Sequence, residues 1–153
     1  MSAIKVVFVC TGNTCRSPMA AVMAAQIFAE AGLVAEIISA GVSAMPGQPA
    51  SRHAAQIMKE DGLCLSTHKS ADVSGDMMDT AALVLTMTGS HREVLLSDYP
   101  AAHDKIFTLA GYVGNDMNIS DPFGGSVDVY RDCATQIRAL LMQAAERLGQ
   151  SRA

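Results

Sequence analysis

Residues Lys5–Pro18 read K-V-V-F-V-C-T-G-N-T-C-R-S-P, and this stretch decides how the rest of the chain is arranged. Lys5–Cys10 is β-branched and apolar along its length, the pattern of a strand buried on both faces. Pro18 is read as opening a helix, at a position where its missing N–H forfeits no intrahelical bond. Cys10–Ser17 is then a tight strand-to-helix connection. Such a connection gathers backbone N–H groups where the helix dipole is positive.

Outward from this stretch the chain alternates strand and helix, which favours a parallel sheet covered on both faces. Met19, Val22, Met23, Gln26 and Ile27 recur at helical spacing until Gly32. Ala35–Ala40 reads as a second strand, Gly41–Pro49 as a loop, and Ser51–Asp61 as a helix stopped by Gly62. A short helix is expected around Val73–Thr80, a third strand over Ala82–Met87 and a helix over Ser90–Ser97. Lys105–Leu109 is the fourth strand, and Gly111–Gly125 a polar loop rich in Gly, Asn and Asp. A closing helix runs from Val127 to Leu148, with Val129, Cys133, Ile137, Leu140, Leu141 and Ala144 on one apolar stripe. Nothing repeats internally and no linker divides the chain. The expectation is one α/β domain over residues 1–153, a three-layer sandwich with a four-stranded parallel sheet flanked by helices.

The chain has 153 residues, half of them hydrophobic and 17% charged, enough for one continuous core. Its net charge of −4, without a basic run, argues against a nucleic-acid partner. No apolar stretch approaches membrane-spanning length, and Ile4–Val9 is too short for an export signal. A cytoplasmic protein is expected, whose four cysteines are free thiols or reactive groups rather than a disulfide framework. There is no C-x-x-C, and the four histidines stand singly, so neither a metal nor another cofactor is expected.

The chemistry concentrates in Cys10–Ser17. A cysteine between a helix N-terminus and a guanidinium is favoured as the thiolate. Arg16 can hold two oxygens of one phosphate with its planar fork. Gly12 is expected to supply a backbone conformation that a Cβ resists, and Asn13 to tolerate the left-handed region. Ser17 can donate to the thiolate or cap the helix. An isolated C-x5-R arises easily by chance, in which case Cys10 would merely end a core strand; its placement between buried strand and helix favours a phosphate cradle.

These residues resemble the low-molecular-weight protein-tyrosine-phosphatase family, whose signature C-x-G-N-x-C-R-S is matched in full by Cys10–Ser17. Ser39-Ala40-Gly41 is similar to the family's S-A-G segment, and His68 falls where a histidine braces the loop. Asp121-Pro122-Phe123 resembles the motif that carries the general acid; on its own, Asp-Pro is equally a turn-former. The resemblance implies Cys10 as nucleophile, Arg16 as phosphate ligand and Asp121 as general acid and base. It implies phosphate or substrate contacts from Thr11, Gly12, Asn13, Thr14, Cys15, Ser17 and Phe123, and support from Ser39 and His68.

Two features resemble the protein-arginine phosphatases within that family. Thr14 stands where tyrosine-specific members usually carry a larger aliphatic residue, and Phe123-Gly124-Gly125-Ser126 lacks their second aromatic. A small polar Thr14 leaves room for a guanidinium and can orient water, whereas an aliphatic residue suits a phenol. The substrate expected is therefore a phosphoarginine protein, with phosphotyrosine as the alternative, acted on by a monomer or weak oligomer. Thioredoxin-coupled arsenate reductases share the loop but need two further cysteines after the third strand, and Thr86–Arg92 has none. A non-catalytic phosphate-binding module would not need nucleophile, arginine and acid together.

Of the remaining groups, Cys15 is read either as inert packing or as a partner able to form a reversible disulfide with oxidised Cys10. Cys64 and Cys133 are read as structural, and His53, His91 and His103 as solvated. Tyr99, Tyr112 and Tyr130 are taken as core residues, and the ten methionines as core filler.

Overall fold

A computed structural model describes residues 3–151. Strands β1 (Ile4–Cys10), β2 (Ala35–Gly41), β3 (Leu83–Thr86) and β4 (Ile106–Thr108) form one parallel sheet in the order β2-β1-β3-β4. Strand β1 is central, with Val7 opposite Ile38 on one side and Val84 on the other. Its alternation sorts the core. Val6, Phe8 and Cys10 face one hydrophobic cluster, and Val7 and Val9 face a second.

The first cluster is closed by helices α1 (Arg16–Glu30), α2 (Arg52–Glu60), α5 (Leu109–Tyr112) and α6 (Val127–Ser151). The second lies under α3 (Gly75–Thr80), α4 (Gly89–Asp98) and a 3-10 helix over Pro100–Lys105. This is the expected three-layer α/β sandwich. Burial of both faces is why the inner strands β1 and β3 read as nearly continuous apolar runs.

Several expectations are corrected. Helix α1 starts at Arg16, two residues before Pro18, which occupies the first turn where N–H groups lack intrahelical partners. The stretch 111–125 is not wholly a polar loop: α5 overlaps its start, and Ile119 is fully buried, its N–H donating to the Met87 carbonyl. Val129 is exposed and not part of the core stripe of α6. Tyr130 takes its place, three residues before Cys133 and seven before Ile137. Met45, Met117 and Met142 are exposed rather than core filler. Cys64 is exposed and not a packing residue; the Ser66 hydroxyl and N–H bond its sulfur and pull its thiol acidity upward, lowering its pKa.

The strand order sends the chain from β1 toward β2 on one side and onward to β3 on the other. The sequence of connections therefore reverses next to the carboxyl end of β1. That crevice is where open parallel sheets bind ligands.

Candidate active site

The connection from β1 to α1 is tied down from outside. The Cys10 and Thr11 carbonyls accept from Val42 N (2.9 Å) and Ser43 N (3.0 Å), and the Thr14 carbonyl from Ser51 N (2.8 Å). The Cys15 carbonyl accepts from Met19 N, and the Asn13 carbonyl from His68 Nε2 at 2.7 Å, which places the His68 ring proton on that nitrogen. By contrast, the N–H groups of residues 12–16 donate to no protein acceptor among the described residues. Donors without partners are costly when water is excluded, so a multi-oxygen anion is the complementary ligand.

Asn13 holds the bend. Its φ is 58°, the left-handed region that asparagine tolerates. Its amide nitrogen donates to Ser17 Oγ (2.8 Å) and Ser39 Oγ (2.9 Å), and its amide oxygen accepts from Ala71 N (3.0 Å). Asn13 and Ser17 are fully buried, so both lie behind the loop. The glycine expectation moves: Gly12 is not in a positive-φ conformation, and a Cβ there would meet only Thr14 Oγ1 at 3.9 Å. Gly41 is the restrictive position, because a Cβ on it would collide with the Thr11 carbonyl oxygen.

Eight residues line a cleft of about 220 Å³ above this loop: Cys10, Thr11, Gly12, Thr14, Cys15, Arg16, Asp121 and Phe123. All eight are among the residues singled out from the sequence. Cys10 Sγ lies 2.9 Å from Ser17 Oγ. When the sulfur carries the negative charge it can only accept, so Ser17 is then the donor.

Arg16 is 4% exposed and its Nη1 donates to the Ile119 carbonyl at 2.8 Å, while Nη2 lies 3.6 Å from Asp121 Oδ2. The guanidinium is thereby aimed by main chain from one side. Asp121 is half exposed, and its Oδ1 accepts from Phe123 N at 3.0 Å, closing an Asx turn before the ring. The acid-bearing segment is held against the turn after β3 by Ile119 N to Met87 O (3.1 Å) and by Gly89 N to Asn118 Oδ1 (2.8 Å).

Three further residues at the site escaped the sequence reading. His91 is not solvated but buried. Its Nε2 lies 2.8 Å from Thr11 Oγ1, and burial, with Arg16 adding to it, pushes the ring down to about 4. Tyr130 puts its hydroxyl 3.3 Å from Cys15 Sγ and is pushed up to about 12, first by burial and then by that bond. His53, also expected to be solvated, packs edge-on against the Tyr130 ring. No sequence motif marks these residues, because each meets a partner far away in the chain. All four cysteines are free, and burial pushes the Cys133 thiol up to about 12.

A site so built can seat a tetrahedral anion with a sulfur at its base, a guanidinium at its flank and a carboxyl group at its mouth. A profile of the low molecular weight phosphotyrosine protein phosphatases matches residues 5–153. The chain is 40% identical to a protein-arginine-phosphatase of Bacillus subtilis, over 96% of this chain and 98% of that one. It is 36% identical to the low molecular weight protein-tyrosine-phosphatase PtpB of Staphylococcus epidermidis, over 90% and 94%. Among solved structures, a YwlE arginine phosphatase mutant with a phosphorylated active-site serine superposes with a TM-score of 0.92 at 40% identity, covering 95% of each chain. By sequence, fold and cleft, this chain belongs to the low molecular weight phosphotyrosine protein phosphatase family.

Proposed function

We propose that this chain is a protein-arginine phosphatase working through a phosphocysteine on Cys10. The supporting observation is the meeting of Cys10, Arg16 and Asp121 in one cleft whose floor is a row of N–H donors without protein acceptors among the described residues. The Cys10 thiolate attacks phosphorus, the P–N bond of phosphoarginine breaks, and Asp121 gives its proton to the departing nitrogen. Water then attacks the phosphocysteine and passes a proton to Asp121, releasing inorganic phosphate and the Cys10 thiolate. Arg16 and the loop N–H groups stabilise the charge on the equatorial oxygens throughout.

Thr14 supports arginine as the substrate side chain. It lines the cleft and brings a small hydroxyl where an aliphatic group would suit a flat apolar ring. Two relatives at about 40% identity carry the name protein-arginine-phosphatase. Phosphotyrosine is the second reading, favoured by Phe123, which is 74% exposed at the cleft and free to stack on a phenol. The test compares turnover of phosphoarginine and phosphotyrosine peptides by wild type and Thr14→Ile. A preference for phosphoarginine that shifts toward phosphotyrosine in the variant supports the assignment, and an unchanged preference removes Thr14 from it.

The proposal takes residues 1–153 as one domain, acting without metal or cofactor on phosphorylated proteins of the cytoplasm, as a monomer or weak oligomer. Consistent with this, no helix among the described residues is long and apolar enough to cross a membrane.

A further inference from the structure

His91 occupies the third position of α4 and serves two structures at once. Its Nδ1 lies 3.2 Å from Thr88 N, while the Thr88 hydroxyl accepts from His91 N at 3.3 Å, so the pair caps the helix reciprocally. A backbone N–H can only donate. Nδ1 therefore carries the lone pair, and the proton of the neutral ring is on Nε2.

That proton points at Thr11 Oγ1, 2.8 Å away. A hydroxyl oxygen that accepts from His91 keeps its own proton to give. Among the described residues Thr11 Oγ1 has no other hydrogen-bond partner, and Thr11 lines the cleft next to Cys10. Burial of the ring keeps it neutral down to about pH 4, so the donor direction does not reverse near neutrality.

We propose that His91 is a positioning residue: by donating to Thr11 Oγ1 it turns the Thr11 hydroxyl proton into the cleft, where it donates to an oxygen of the bound phosphoryl group. The identity of the substrate rests on the phosphatase reading; the direction of the hydroxyl does not. Thr11 thereby adds a side-chain donor to the backbone donors of the loop. It also connects α4, on one face of the sheet, to the loop that leads into α1 on the other.

A double-mutant cycle on the full chain tests this: wild type, Thr11→Val, His91→Ala and the double variant, with His91→Gln as the conservative replacement. Two quantities are read, the dissociation constant for inorganic phosphate and kcat/KM on a phosphoarginine peptide. Each single variant is expected to bind phosphate about tenfold more weakly, the size of one hydrogen bond to a charged group. The double variant should be no weaker than Thr11→Val alone, and His91→Gln, whose amide can still donate, should recover most of the affinity.

A purely capping role for His91 predicts additive losses, and additivity overturns the proposal. So does wild-type phosphate affinity in Thr11→Val, a variant that leaves the α4 cap untouched should His91→Ala fail to fold. Coupled phosphate affinities in a protein that hydrolyses no phosphoprotein would sustain the hydroxyl assignment and sink the phosphatase reading instead.

Discussion

The Tyr130 hydroxyl meets the Cys15 sulfur at 3.3 Å, joining the start of the last helix to the phosphate-binding loop across 115 positions of sequence. Tyr130 also presents its ring to the edge of His53, with centroids 5.3 Å apart. Tyr130→Phe keeps the ring and removes only the hydroxyl bond. A stability loss of about 1 kcal/mol in denaturant titration is expected, with turnover changed less than about threefold. A tenfold loss of turnover would mean that the hydroxyl positions the loop for chemistry and does not merely pack behind it.

Gly41 and Gly12 separate two kinds of glycine. A methyl group on Gly41 has to displace the Thr11 carbonyl or the strand, whereas the same methyl on Gly12 meets nothing closer than 3.9 Å. Gly41→Ala is expected to cost about 1–3 kcal/mol of stability by overpacking and to lower kcat/KM by moving the loop. Gly12→Ala should change stability by less than about 1 kcal/mol. Paired thermal melts of the two variants check this order, and the reverse order would contradict the loop geometry.

Asn13 has four hydrogen bonds to lose, three from its side chain and one at its carbonyl. Asn13→Ala abolishes the three side-chain bonds, leaves the part-buried Ala71 N–H without its acceptor and places alanine at positive φ. About 3–5 kcal/mol is the expected cost, from the unmet bonds plus the backbone strain. Phosphate affinity should fall with it, as measured by calorimetry on protein confirmed to be folded.

The neutral, buried His91 makes stability depend on pH in a definite direction. Its folded value of about 4 lies below the ordinary 6.5, so between these values the unfolded chain binds a proton that the folded chain refuses. Stability is therefore flat above about pH 6.5, falls as the pH drops toward about 4, and loses up to about 3 kcal/mol from this group. His91→Gln should show a shallower slope of melting temperature between about pH 5 and pH 7. Parallel slopes would mean that the ring is accessible to water.

Asp121→Asn keeps the Asx turn geometry but cannot deliver or take a proton. A loss of kcat of about 100- to 10,000-fold is expected on substrates with poor leaving groups. The loss should be much smaller on an activated aryl phosphate, whose leaving group needs no proton. Equal losses on both would move the general-acid role elsewhere.

The parts of this site that could be read in the sequence are the contiguous ones. Cys10–Ser17 is a single stretch that carries the sulfur, the guanidinium and the loop donors together, and Asp121 announces itself through Pro122 and Phe123. The sheet was legible because its two inner strands, β1 and β3, are buried on both faces over most of their length and so read as apolar runs. His91, Tyr130 and Ile119 were not legible, since each is defined by a partner far away. A histidine at the third position of a helix and a tyrosine on an amphipathic stripe look like a surface group and a core group until the sheet brings the loop to them. Val129 misled for a different reason: its spacing to Cys133 continues the stripe of α6, but the face buried at the start of this helix runs through Val127 and Tyr130. Gly12 misled because its loop needed one left-handed residue, and Asn13 filled that need.

The carbonyls of the phosphate loop rest on Met19, Val42, Ser43, Ser51 and His68, four of which lie beyond β2 or at its end. The loop is thus a keystone, held in place by the sheet edge and the two loops that follow it. Occupancy of the cleft is therefore linked to the integrity of the whole molecule. Phosphate at a hundred times its dissociation constant should stabilise the entire fold by about 2.7 kcal/mol. A simple anion becomes a reporter of folding, since the cradle it binds is held by segments spread from α1 to the loop before α3.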